Sequence, residues 1–302
     1  MRAVTPVEAL LSGVGPLPLS EREFVLFQAL VEREVGIHLG PTKQALLVGR
    51  LSRRVRSLGL PSFAAYYRFV ITRGNEAERV RMLDCLCTNE THFFREPEHF
   101  EFLRQRVFPE WTRRAAQGLM ARRVRVWSAA CSTGEEPYSL AMELLSHFPP
   151  GSGWEVEVLA TDLSTWALER ARQGLWPVEK AATIPGPLLR TFMLRGVRSQ
   201  EGWMQAGPEL RSVLRFARVN LNDERGWPAG PFELVFCRNV LIYFGAQARA
   251  QALSALLRRL PPTGYLFLGH AESLTGGSEP ARCVAPNIYC AKPPPPAGAS
   301  PT

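Results

Sequence analysis

The sequence predicts an α/β protein in two parts, a small helical domain followed by a sheet of the nucleotide-binding kind. Three observations predict it. No strand pattern appears before residue 90, whereas from about residue 124 short β-branched and aromatic runs alternate with helical ones. Residues 124–140 read as a buried strand, a loop of small residues and a helix. A second strand, Val156 to Ala160, ends at Thr161-Asp162, where such a sheet places an acid beside its ligand.

A chain of 302 residues has room for one large domain or two small ones. There is no run of roughly 18 or more apolar residues, so no membrane insertion is expected. The N-terminus lacks a basic start before an apolar core; Gly13, Gly15, Pro16 and Pro18 interrupt it, and a cytoplasmic location is expected. The six cysteines have no Cys-x-x-Cys spacing and the histidines no metal-ligand spacing, so reduced thiols and no metal are expected. A net charge of +8 suggests an acidic partner, either nucleic acid or a carboxylate-rich protein surface.

Residues 1–19 read as a loose leader and 20–90 as the helical domain. Ser20 suits the N-cap of a first helix carrying Phe24, Phe27, Leu30 and Val31, which Gly36 and Gly40-Pro41 end. A second helix, about Thr42 to Leu58, has Leu47, Leu51, Val55 and Leu58 on one face. A third starts at Pro61-Ser62 and a fourth carries Val80, Leu83 and Leu86. No acid occurs from Val35 to Asn75, while Lys43, Arg50, Arg53 and Arg54 all fall there. Lys43, Arg50 and Arg54 share a helix face opposite the leucines, flanked by Arg53; this is either a solvated face or a docking surface.

The segment Thr88 to Glu96 combines polar Asn and Thr groups, Phe93-Phe94 and Arg95; it is either a cap with an apolar plug or a pocket closed around one cation. After the strand at 124, six small residues lead to Gly134, with Ser132 or Thr133 available to cap the next helix and Pro137 in its first turn. That helix opens with Glu135 and Glu136. These acids either simply suit the helix dipole or repel a pyrophosphate and attract a ligand with a cationic amino group. Asp162 suits two ribose hydroxyls, and Ser164 or Thr165 caps the helix after it. Residues 175–212 are irregular, and Trp203 to Gln205 with Val213 to Ala217 read as an inserted antiparallel flap. Phe232 to Cys237 is a strand leading into Arg238-Asn239, followed by a helix from about Ala246 to Leu260 and strands at Gly264 to Gly269 and Asn287 to Ala291. Residues 293–302 form a Pro-rich, disordered tail.

Taken as a set, these blocks resemble the chemotaxis receptor methyltransferase family of the CheR type. The resemblance rests on Thr88-Asn89-x-Thr91-x-Phe93-Phe94-Arg95, Trp127 to Ser139, Thr161-Asp162, Val219-Asn220-Leu221, Phe236 to Phe244 and Gly269-His270-x-Glu272. It implies an N-terminal helical domain and, over 91–292, a Rossmann-like S-adenosylmethionine-dependent methyltransferase domain with a small β-subdomain inserted at about 195–215. It also implies a monomeric protein-glutamate O-methyltransferase that esterifies glutamates on the cytoplasmic helices of chemoreceptors and releases S-adenosylhomocysteine. Carried over, Asn89, Thr91 and Arg95 approach the cofactor, Glu136 holds its amino group with Glu135 as the neighbouring alternative, and Asp162 holds the ribose. Asn220 and Leu221 flank the adenine, Arg238 and Asn239 line the remaining side, and Arg95 and Tyr243 lie near the transferred methyl.

Two rivals fit parts of the pattern. A nucleic-acid methyltransferase would use the arginines, but Arg238-Asn239-Val240 stands where an amino-group methylase commonly has Asn or Asp before Pro-Pro and an aromatic, and no aromatics interleave with the basic residues from 43 to 56. A non-catalytic scaffold that binds the cofactor as a signal would not need both Arg95 and Tyr243.

Overall fold

The computed structural model describes residues 17–274 and 281–291; the expected leader, apart from residues 17–19, and the whole expected tail lie outside them. The chain divides into two compact units between Thr88 and Asn89.

The first unit is helical. Helix α1 (Glu21–Val35) begins in a capping box, in which the Ser20 side chain accepts from the Glu23 N–H and the Glu23 carboxylate accepts from the Ser20 N–H. A short 3-10 turn leads into α2 (Gln44–Ser57), and α3 (Phe63–Ile71) and α4 (Glu76–Leu86) follow. Leu47, Leu51 and Val55 are fully buried, one helical turn apart on one face of α2. Phe27, Leu30, Val31, Phe63 and Tyr66 are also buried in this unit.

The second unit opens with α5 (Pro97–Phe102), which passes through one π turn at Leu103–Val107 into α6 (Phe108–Ala116). Its frame is then β1 (Arg123–Ala129), α7 (Glu135–His147), β2 (Glu155–Asp162) and α8 (Thr165–Gln173). A smaller set follows: β3 (Leu175–Pro177), α9 (Gly186–Phe192), β4 (Met193–Arg195), β5 (Trp203–Ala206) and α10 (Pro208–Val213). The chain returns with β6 (Leu214–Arg218), β7 (Leu234–Cys237), α11 (Ala246–Arg258), β8 (Tyr265–Leu268), β9 (Ala281–Ala285) and β10 (Ile288–Ala291).

The main sheet has the order β6-β2-β1-β7-β8-β10-β9. The first five strands of that order run parallel; β10 and β9 close the edge antiparallel. Every residue of β7 and β8 is buried, as parallel strands covered on both faces require. The order reverses beside β1, so the loops after β1, β2, β6 and β7 converge at the carboxyl edge where such sheets bind ligands.

The inserted sheet differs from the sequence reading. Trp203–Ala206 is the middle strand of a separate antiparallel sheet in the order β3-β5-β4, which spans Leu175 to Ala206. Leu214–Arg218 belongs to the main sheet, paired in parallel with β2 from Val158↔Leu214 to Asp162↔Arg218. The Gly207-Pro208 signal that suggested a hairpin starts helix α10 instead, with Pro at its first position. Strand β9 and helices α5 and α6 had no counterpart in the sequence reading.

Candidate active site

The loop after β1 is shaped by its backbone. Ala130, Ser132 and Gly134 all take positive φ, at 76°, 50° and 102°. The Ala130 and Cys131 N–H groups both donate to the Thr161 carbonyl at 2.8 Å, and the Ser132 N–H donates to the Asp162 carboxylate at 2.8 Å. The other Asp162 oxygen accepts from the Ser164 N–H at 2.8 Å, and the Ser164 side chain caps α8. Asp162 therefore joins the β1 loop to the start of α8 at the end of β2. Neither Ser132 nor Thr133 caps α7. The Ser132 hydroxyl donates to the Asn89 carbonyl (3.0 Å), the Thr133 hydroxyl donates to Glu135 (2.7 Å), and Gly134 stands at the N-cap without a side-chain bond. The left-handed turn that carries the chain off β1 takes these residues out of capping geometry.

Glu135 and Glu136 are separated in role by one residue. Glu135 is fully buried, bound to the Lys180 ammonium and the Thr133 hydroxyl. Lys180 also donates to the Thr91 carbonyl at 3.4 Å. Glu136 keeps 13% of its side chain exposed; one oxygen accepts from the Ser128 hydroxyl at 2.6 Å and the other lies 3.3 Å from an Arg238 nitrogen. Burial pushes the Glu136 carboxyl above the ordinary carboxylate range, with Arg238 pulling the other way.

The loop after β7 is held by carboxylates from elsewhere. Arg238 is buried, and its guanidinium donates to Glu96 at 2.9 and 3.2 Å and to the Arg95 carbonyl. Glu96 accepts in addition from the Asn239 side chain (3.3 Å) and the His270 N–H (3.1 Å). Burial alone would raise the Glu96 carboxyl; Arg238 and these donors outweigh it and hold the group below its usual value. His99 is sealed beneath, its ring edge-on to those of Phe236 and Phe267 and neither nitrogen hydrogen-bonded; burial, then Arg238, push its pKa down to about 4. It is neutral at physiological pH.

Of the residues expected from sequence, the structure brings Arg95, Glu136, Arg238 and Asn239 into one linked group, and Asn89 and Asp162 into a second through Ser132. Asn220 and Leu221 follow β6, whose end is tied to β2 by the Val219 N–H on the Asp162 carbonyl at 3.0 Å. Tyr243, in a 3-10 turn after β7, has 39% of its surface exposed. Arg95 is half-buried and donates to the Glu90 carbonyl at 3.3 Å. In the first unit, Lys43 and Arg53 are exposed. Arg50 donates to the Leu86 carbonyl and the Thr88 hydroxyl, and Arg54 is paired with the buried Glu78. Ser128, Glu96, Lys180 and Glu272 were given no role from sequence. Glu96 and Glu272 lay in quoted motifs, but a carboxylate's partners are not visible in a motif.

The donor set fits S-adenosylmethionine. The carboxyl edge of the sheet offers a partly exposed carboxylate, Glu136, where a phosphate-binding turn would present bare amides, and a strand-end acid, Asp162, suited to a diol. Among the described residues, no group of three or more His, Cys, Asp or Glu side chains is placed to hold a metal ion. No described helix is long and apolar enough to cross a membrane.

Comparison with known proteins places both units in one family. Residues 22–87 match the all-alpha domain of the CheR methyltransferases and residues 89–290 match their SAM binding domain. A "Chemotaxis protein methyltransferase 2" of Pseudomonas aeruginosa is 37% identical over 273 residues, covering 89% of this chain and 93% of the relative. The chemotaxis protein methyltransferases of Salmonella typhimurium and Escherichia coli are each 36% identical over 267 residues, covering 88% of this chain and 88% and 89% of their own lengths. With both domain patterns matched in order over nearly the whole described chain, the protein belongs to the CheR methyltransferase family.

Proposed function

We propose that the chain is a protein-glutamate O-methyltransferase of chemotaxis signalling. Its acceptors are glutamates on the cytoplasmic helices of chemoreceptors, and S-adenosylmethionine is its methyl donor. The observation that carries the reading is Glu136: a largely enclosed carboxylate at the start of the helix after β1, at the carboxyl edge of a nucleotide-binding sheet, is suited to an ammonium and not to a phosphate. Asp162 takes the ribose, Asn220 and Leu221 flank the adenine, and Asn89, Thr91, Arg238 and Asn239 line the rest of the site.

When bound, the cofactor supplies a methyl group on a positively charged sulfur. The acceptor glutamate, with an ordinary pKa of about 4.3, is already an anion at neutral pH. Attack by its oxygen on that methyl would form the O–CH₃ bond, break the CH₃–S bond with the electron pair left on sulfur, and move no proton. No general base is required. What the chain supplies is alignment, an effect worth up to about 7–11 kcal/mol in favourable cases. Arg95 orients the incoming carboxylate and Tyr243, partly exposed, offers it a weaker hydrogen bond. Too strong a hold would stabilise the ground state and slow transfer. Lys43, at the end of the 3-10 turn before α2, and Arg50, Arg53 and Arg54 of α2 are assigned to acceptor docking.

The test is transfer of label from methyl-tritiated S-adenosylmethionine to purified chemoreceptor cytoplasmic fragments. Label on protein, released as methanol by mild alkali, is the expected result. Label that survives alkali, or that appears on nucleic acid, overturns the reading.

A further inference from the structure

We infer that Glu272 is a positioning residue for methyl transfer: its carboxylate sets the backbone of residues 239–242 and so aims Tyr243; this rests on the activity proposed above. The side chain is 2% exposed. One oxygen accepts from the N–H groups of Val240 (3.0 Å), Leu241 (2.7 Å) and Ile242 (3.2 Å). The other accepts from Asn239 (2.8 Å) and Gly269 (2.7 Å). Five backbone donors thus converge on one buried anion. Such a set of amides is a concave, electropositive nest, formed because Asn239 turns left-handed at φ 57° and the next residues coil into the 3-10 turn Leu241–Tyr243. A neutral acceptor would leave buried amides unsatisfied, at a penalty that each of them incurs separately.

The anion is itself located from outside the loop. Asn287, in the turn between β9 and β10, donates to the carbonyls of Gly269 and Glu272. Gly269 has no room for a side chain, since a Cβ there would lie 2.5 Å from the Asn239 amide nitrogen. From the other side Glu96 holds the Asn239 side chain and the His270 N–H. The loop is clamped at both faces and ends where Tyr243 emerges into solvent, its own N–H closed on the Val240 carbonyl at 3.2 Å. The carboxylate meets this loop only through backbone N–H groups, that of Asn239 among them. Its effect on chemistry passes through Tyr243.

Glu272→Gln keeps the shape of the side chain but turns an amide donor toward backbone donors. With tritiated S-adenosylmethionine and chemoreceptor cytoplasmic fragments, Glu272→Gln should lower kcat roughly 10- to 100-fold, the scale expected for a misplaced group. Its affinity for S-adenosylhomocysteine should fall by a smaller factor than kcat, since Asn239 is the one residue of the held stretch 239–242 that is assigned to the cofactor site. Hydrogen exchange at amides 239–242 should speed up. Tyr243→Phe in the Glu272→Gln background should cost less than in the parent, because both changes remove one function. A folded Glu272→Gln variant with the parent's kcat, or full additivity with Tyr243→Phe, overturns the inference. If Glu272→Gln does not fold, Glu272→Asp, which withdraws the anion by one methylene, decides by the same criteria. Failure of the parent itself to form alkali-labile label overturns the proposed activity and is a separate result.

Discussion

The two loops that meet at the edge of the sheet are built on opposite principles. The loop after β1 is held mainly through backbone: Ala130, Ser132 and Gly134 take positive φ, and the Ala130 and Cys131 amides donate to the Thr161 carbonyl of the adjacent strand β2. Of these amides and that of Ser132, only the Ser132 amide meets a carboxylate, that of Asp162. The loop after β7 is held by ions, with Glu96 on its side chains and Glu272 on its amides. Charge in the first loop is turned partly outward through Glu136, while charge in the second is turned inward. A backbone-built turn tolerates exchange of side chains so long as φ is kept. An ion-built shelf fails when a single charge is removed, because the partner is left buried and unpaired.

The largest effect expected from that difference is at Arg238. Arg238→Met keeps most of the side chain's bulk but leaves Glu96 and Glu136 without their shared cation. Breaking a buried pair in this way costs about 3–5 kcal/mol. Urea unfolding followed by tryptophan fluorescence should show that loss, and calorimetry should show S-adenosylhomocysteine binding weakened with it. A loss under about 1 kcal/mol would mean that water reaches the cluster, and the contrast between the loops would dissolve.

Two glycines sharpen the comparison at the next level. An alanine at Gly134 would have to hold φ 102° with its Cβ 3.0 Å from Ala171 Cβ and 3.1 Å from Ala171 Cα. An alanine at Gly269 would meet the Asn239 amide nitrogen at 2.5 Å and the Asn239 backbone nitrogen at 2.8 Å. Each should cost about 1–3 kcal/mol, from strain in the first case and overpacking in the second. Their effects on turnover should part. Gly134→Ala presses on helix α8, whereas Gly269→Ala displaces the shelf that carries Tyr243, so kcat should fall further in the second at similar stability. Equal kcat in the two variants would show that the shelf has slack.

The same contrast explains what could be read from sequence. Gly134, Glu135, Glu136 and Asp162 sit in contiguous strand–loop–helix signals, so the first strand–helix units of the sheet and the acids at their strand ends were legible. The supports of the second loop were not. Glu96 lies 142 residues before Arg238 in the chain, and Glu272 lies 33 after Asn239, so no local spacing links them. The division of labour between Glu135 and Glu136 depended on Lys180, 45 residues from Glu135 and supplied by the irregular stretch that sequence could not resolve. The hairpin misplaced at 203–217 has the same cause. A glycine-proline pair between two apolar runs is compatible with a turn or a helix start, and only the pairing of β6 with β2 decides.

The smallest effect expected is on α2, where the structure changes which residues a docking test can use. Read along the sequence, Lys43, Arg50, Arg53 and Arg54 have no acid near them. In space Arg54 is clasped by Glu78, its Nε 2.9 Å from one carboxylate oxygen, and that oxygen also accepts from the Tyr66 hydroxyl at 3.0 Å. Arg50 is committed to Leu86 and Thr88. Reversing either to glutamate would disturb the helical unit itself, Arg54 most of all because it would face a buried carboxylate. Lys43 and Arg53 are exposed, and exchanges there should change stability by no more than about 0.5 kcal/mol. The double variant Lys43→Glu, Arg53→Glu should raise the apparent KM for a chemoreceptor fragment about two- to tenfold at low salt, since each exposed pair is worth only about 0–1 kcal/mol. The rise should shrink as salt screens it, and affinity for S-adenosylhomocysteine should not change. A KM equal to the parent's at low salt would show that these two cations face only water and that acceptor docking lies elsewhere.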